Sequence, residues 1–103
     1  MPQIYEVTIV LSDASRAAEF GAYMSDEHVP DVLATGCFAS ASIARENTDK
    51  YVFSYAVKAP GDLQRYVDSY AAALRDDVIQ RFGDSMQASR RVLDVIKVFP
   101  GTE

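Results

Sequence analysis

The chain has 103 residues, 49% hydrophobic and 24% charged, which fits a single globular domain over residues 1–100 with a frayed tail at 101–103 and excludes disorder. Its formal net charge of −5 argues against nucleic-acid and anionic membrane surfaces, which both call for clustered Lys and Arg. One cysteine excludes an internal disulfide and a four-cysteine zinc site; with no basic leader and no apolar run of about 18 residues, a cytoplasmic protein is expected.

The first element reads as a strand over Gln3 to Leu11. Tyr5, Val7, Ile9 and Leu11 alternate with Ile4, Glu6, Thr8 and Val10. Ser12 and Asp13 offer a helix cap. A helix follows from about Ala14, with Ala17, Phe20, Gly21, Met24 and His28 on one face. Gly21 is expected to let this helix approach the sheet closely. Pro30 disfavours helical geometry at Val29, so the helix should end or bend near His28. A short second helix then starts at Pro30, with Asp31 at its positive end and Gly36 as its left-handed terminator.

Cys37 to Glu46 reads as a second strand, with Cys37, Ala39, Ala41 and Ile43 alternating with Phe38, Ser40, Ser42 and Ala44. The turn Asn47 to Lys50 makes a hairpin with a third strand, Tyr51 to Lys58. After the loop Ala59 to Asp62, a long helix carries Leu63, Tyr66, Val67, Tyr70, Leu74, Val78 and Phe82 as an apolar stripe, and Gly83 ends it. Gln64, Arg65, Asp68, Arg75, Asp76, Gln80 and Arg81 form its wet side. The last strand lies within Met86 to Phe99 and is apolar on both faces.

The order β-α-β-β-α-β is the split βαβ arrangement of an α+β, ferredoxin-like fold. Two helices cover one face of a four-stranded antiparallel sheet. The other face carries apolar residues that a second copy would bury, so a homodimer through the sheet face is expected.

His28 is the only histidine and can transfer protons near neutral pH. It can equally satisfy the last carbonyls of its helix. Asp26, Glu27 and Asp31 surround it, but successive helical residues diverge, so no metal site is assigned. Tyr5, Tyr51, Tyr55, Tyr66 and Tyr70 suit either a pocket wall or an aromatic core. Among Arg45, Arg90 and Arg91, one can grip a ligand carboxylate; pairing with Glu6 or Glu46 across the sheet is the competing fate. Cys37 reads as a small core residue. Phosphate loops, nucleophile elbows and HExxH patterns do not occur in the sequence.

The run Glu27-His28-x-Pro30-x-Val32-Leu33-Ala34-Thr35-Gly36-Cys37-Phe38 resembles one in a family of small, uncharacterised bacterial proteins that carry a domain of unknown function. Arg81-Phe82-Gly83-Asp84 and Arg90-Arg91-Val92-Leu93 are similar as well. These proteins resemble the dimeric α–β barrel group. That group includes cofactor-free monooxygenases, dehalogenation, decarboxylation and haem-degrading enzymes, and members with no known activity. The resemblance implies the fold and the dimer and leaves the reaction open.

Two functions fit. One is a homodimer binding a small organic ligand between helices and sheet, without a bound cofactor. There His28 would be the proton-transfer group, and Tyr5, Tyr55, Arg45 and Glu27 the ligand-binding residues. The other is a non-catalytic structural or regulatory dimer with no small-molecule site.

Overall fold

The computed structural model describes residues 2–102; Met1 and Glu103, which the domain and tail expectations also take in, lie outside the described residues. The chain runs β1 (Gln3–Leu11), α1 (Ala17–Tyr23), α2 (Val29–Ala34), β2 (Phe38–Asn47), β3 (Lys50–Val57), α3 (Asp62–Ser69), α4 (Ala71–Phe82) and β4 (Met86–Asp94). The sheet order is β2-β3-β1-β4, antiparallel at each pairing. This is the α+β, ferredoxin-like architecture expected from the element order.

Alternation in β1 and β3 sets which face is roofed. Tyr5 lies opposite Tyr55, Val7 opposite Phe53 and Ile9 opposite Tyr51. These side chains, with Leu11, meet the helices, and all but the half-buried Val7 are buried. Two aromatic groups fill the interlayer space. Phe20 stacks within 5.1 to 6.2 Å of Tyr51, Phe53 and Phe82. Tyr5 lies 5.9 to 6.1 Å from Phe38, Tyr55 and Tyr66. Tilted and edge-on rings at these spacings add to simple area burial.

Asp13 caps the 3-10 turn Ala14–Arg16 by accepting from the Ser15 N–H at 3.0 Å. The expected break near His28 takes a specific form. Met24–His28 is a π-helical turn joining α1 to α2, and Val29 donates to the Met24 carbonyl, five residues back. Val29 stays helical although a proline follows it. The wider turn relieves the clash that a proline ring makes with the carbonyl four residues before it. Gly36 then stops α2 at φ 77°, as expected. Gly21 departs from expectation: a Cβ there would meet nothing within 4 Å.

Other expectations need correction. The long helix is kinked: Tyr70 adopts φ −129° and ψ −34°, which separates α3 from α4 and rotates the stripe. Val67 and Tyr70 therefore lie exposed, and Ala71 is buried in their place. The α-helix does end before Gly83, as expected, but without a left-handed cap: Gly83 has φ −58° and begins a 3-10 turn. In β2 a bulge at Ala39 brings Phe38 onto the same face as Ala41 and Ile43. β4 stops at Asp94, so Ile96, Val98 and Phe99 belong to an extended segment beyond the sheet. The open face is mixed as well. Ile4, Val52 and Leu93 share it with Thr8, Ser42, Ser54 and Ser89, and Arg91 donates to Glu6 at 2.7 Å.

Candidate functional site

Between the helices and the centre of the sheet lies a cavity of about 40 Å3. β1 contributes Tyr5, Val7 and Ile9; β3 contributes Phe53 and Tyr55; β4 contributes Met86 and Arg90. The π-turn supplies Met24 and His28, α3 supplies Tyr66, and α4 supplies Ala71, Arg75 and Val78. The walls are mostly apolar and aromatic, with a few polar groups converging, the usual character of a ligand site.

His28 enters the cavity because the π-turn shifts helical phase at that point. Its Nδ1 is buried and has no hydrogen-bond partner among the described residues. An unpaired buried polar atom costs about 1–3 kcal/mol. Burial holds the His28 pKa below its ordinary value; Asp31 and Asp77 act to raise it, and Arg90 acts to lower it. The imidazole is therefore neutral at neutral pH and can accept a proton.

Tyr5, Tyr55 and Tyr66 form the aromatic wall. Burial pushes the Tyr55 phenol well above its ordinary value and that of Tyr66 up to about 12. Both keep their protons, and so they can donate hydrogen bonds to a ligand oxygen. Arg75 and Arg90, which line the same cavity, act on the Tyr66 phenol in the opposite direction.

The structure brings together His28, Tyr5 and Tyr55. It does not bring Arg45 or Glu27 to them. Arg45 lies exposed on the edge strand β2, opposite Tyr51. Glu27 lines a shallow surface groove with Arg16, Glu19 and Arg81. Of the three arginines weighed for gripping a ligand carboxylate, Arg90 is the one that lines the cavity, and Arg75, expected on the wet side of its helix, lines it too; the sequence carries a signal for each. Ala71, Arg75 and Val78 have the i, i+4, i+7 spacing of one helical face. Arg90 lies opposite Val7, so it shares the parity of the roofed face. Cys37 is fully buried. Among the described residues no group of three His, Cys, Asp or Glu side chains is placed to hold a metal ion.

A family model described as a domain of unknown function, DUF4286, matches residues 2–96. The chain belongs to the DUF4286 family. No curated protein sequence matches it. In structure, this DUF4286 chain is similar to SnoaB, a cofactor-independent oxygenase from Streptomyces nogalater, with a TM-score of 0.75 and 10% identity over 97% of this chain and 98% of that one. A dimeric ferredoxin-like protein from an uncultured marine organism has a TM-score of 0.71 and 12% identity, over 95% and 98% of the two chains. An ethyl tert-butyl ether D (EthD) family protein from Bacillus halodurans C-125 has a TM-score of 0.66 and 10% identity, over 90% and 99%. At such identities the likeness shows the ferredoxin-like fold alone and leaves the chemistry of the DUF4286 site to its own residues.

Proposed function

We propose that this DUF4286 protein is a cytoplasmic homodimer that binds a small organic molecule in the cavity of each subunit. In this reading His28 exchanges a proton with the ligand, without a bound cofactor, and Tyr5 and Tyr55 orient it. The observation that carries the reading is the buried, unpartnered Nδ1 of His28 beside three tyrosines in one cavity. A neutral imidazole in an apolar wall is available as a base, and phenols that hold their protons are available as donors. The SnoaB likeness supports it at the level of fold: that protein is a cofactor-independent oxygenase on the same framework.

The test is His28→Gln, which keeps a polar side chain of similar reach. Ligand binding, or turnover of a ligand recovered from the native host, should be lost while the circular dichroism spectrum and the oligomeric mass stay unchanged. A variant that keeps full binding overturns the reading.

A second reading, a structural or regulatory dimer with no ligand, is favoured by the cavity's small volume of about 40 Å3. This volume holds a water or two, well short of a drug-sized ligand. Under it, native mass spectrometry of protein from its host shows no retained molecule, and Ala71→Leu fills the cavity without functional cost.

A further inference from the structure

The cavity has an uneven charge balance. Its lining includes two arginines, Arg75 and Arg90, and no carboxylate. The chain as a whole is acidic, with 15 Asp and Glu against 10 Lys and Arg, so free cations are scarce on it. Most of its arginines are engaged elsewhere. Arg16 pairs with Glu19, Arg65 with Asp62 and Arg91 with Glu6, while Arg81 lies 4.3 Å over the Tyr23 ring. Among the described residues, neither Arg75 nor Arg90 has an ion pair, a side-chain hydrogen bond or an aromatic ring beneath it.

These two come from different elements, α4 and β4, and converge on the same opening. Both side chains are exposed, whereas Tyr5, Tyr55, Tyr66 and Phe53 behind them are buried. The cations therefore mark the open side and the rings the floor. Two like charges held together repel each other, and a ligand anion between them removes that repulsion while accepting charge-assisted hydrogen bonds. The nearby acids that act on His28, Asp31 and Asp77, do not line the cavity. Tyr23 and Glu27 from the helical side do not line it either.

We infer that the ligand is a small, flat organic anion, its carboxylate held by Arg75 and Arg90 at the mouth and its apolar body laid against Tyr5, Tyr55 and Tyr66. This rests on the reading that the cavity binds a ligand. The long arginine side chains are the part that swings outward to admit a ring, since the floor is packed.

The chain's single histidine makes a clean reporter, because the imidazole region of its NMR spectrum contains one residue. Benzoate, its neutral isostere benzamide, and benzylamine are titrated into the labelled protein. Benzoate should shift the His28 resonances saturably and bind at least about ten-fold more tightly than benzamide, with benzylamine weaker still. Arg75→Gln and Arg90→Gln should each weaken benzoate by about ten-fold and benzamide by much less, and Arg90→Lys should recover part of the loss. Equal binding of benzoate and benzamide, or benzoate binding untouched by both variants, overturns the anion inference while leaving the cavity a binding site. Absence of any His28 response to all three compounds overturns both.

Discussion

His28 is the residue at which packing and chemistry pull against each other. Its burial keeps the folded-state pKa below the ordinary value of 6.5, with Asp31 and Asp77 opposing and Arg90 reinforcing the shift. A depressed histidine pKa means that the unfolded chain takes up the proton first as pH falls. The stability that goes with the neutral ring is therefore complete above 6.5 and is lost progressively as pH falls below it. Urea unfolding at pH 7.5 and pH 5.0 should show a smaller pH-dependent loss in His28→Gln than in the natural chain. Parallel losses would place the titration elsewhere. The core residues make a different kind of prediction. Phe53 is 1% exposed and packs edge-on against Phe20, so Phe53→Ala should destabilise by about 3–5 kcal/mol in chemical denaturation.

Among the elements, the α1–π-turn–α2 rod carries the most information. It places His28 in the cavity and absorbs Pro30 in one manoeuvre. Its two glycines play opposite roles. Gly36 sits at φ 77°, where a side chain is strained, so Gly36→Ala should cost about 1–2 kcal/mol. Gly21 has a right-handed helical backbone and open space where a Cβ would go. Gly21→Ala should therefore stabilise the protein by about 0.4–1 kcal/mol, read as a higher urea midpoint at unchanged slope. A loss of stability at that site would reveal a partner packed on the helix. The element order and element types were legible because alternation in β1 and β3 is regular. The bulge at Ala39 and the kink at Tyr70 were not, because each is a single-residue shift that leaves composition unchanged.

At the scale of the whole molecule, apolar surface is concentrated after β4. Ile96, Val98 and Phe99 are 85%, 77% and 76% exposed, and Lys97 lies over the Phe99 ring. This segment leaves the sheet after Val95 donates to the Pro2 carbonyl at 2.8 Å. Ile4, Val52 and Leu93 on the open sheet face add to the surface that a second copy would cover. Light scattering of the natural chain should give twice the 11.3 kDa subunit mass. A chain ending at residue 95 should give a lower average mass that depends on concentration. A truncated chain that stays fully dimeric would assign the interface to the sheet face alone.

The sequence by itself determined the strands, the β-α-β-β-α-β order and the two alternating faces of β1 and β3, because hydrophobic periodicity is a local property that follows from strand and helix geometry; which of those faces the helices roof was decided by the tertiary structure. The sequence also singled out His28, Tyr5 and Tyr55. The convergence of Arg75, Arg90 and Tyr66 on one cavity, and the exclusion of Arg45 and Glu27 from it, were decided by the tertiary structure. Strand register, a bulge and a helix kink set which way a charged side chain points, and those depend on partners far along the chain.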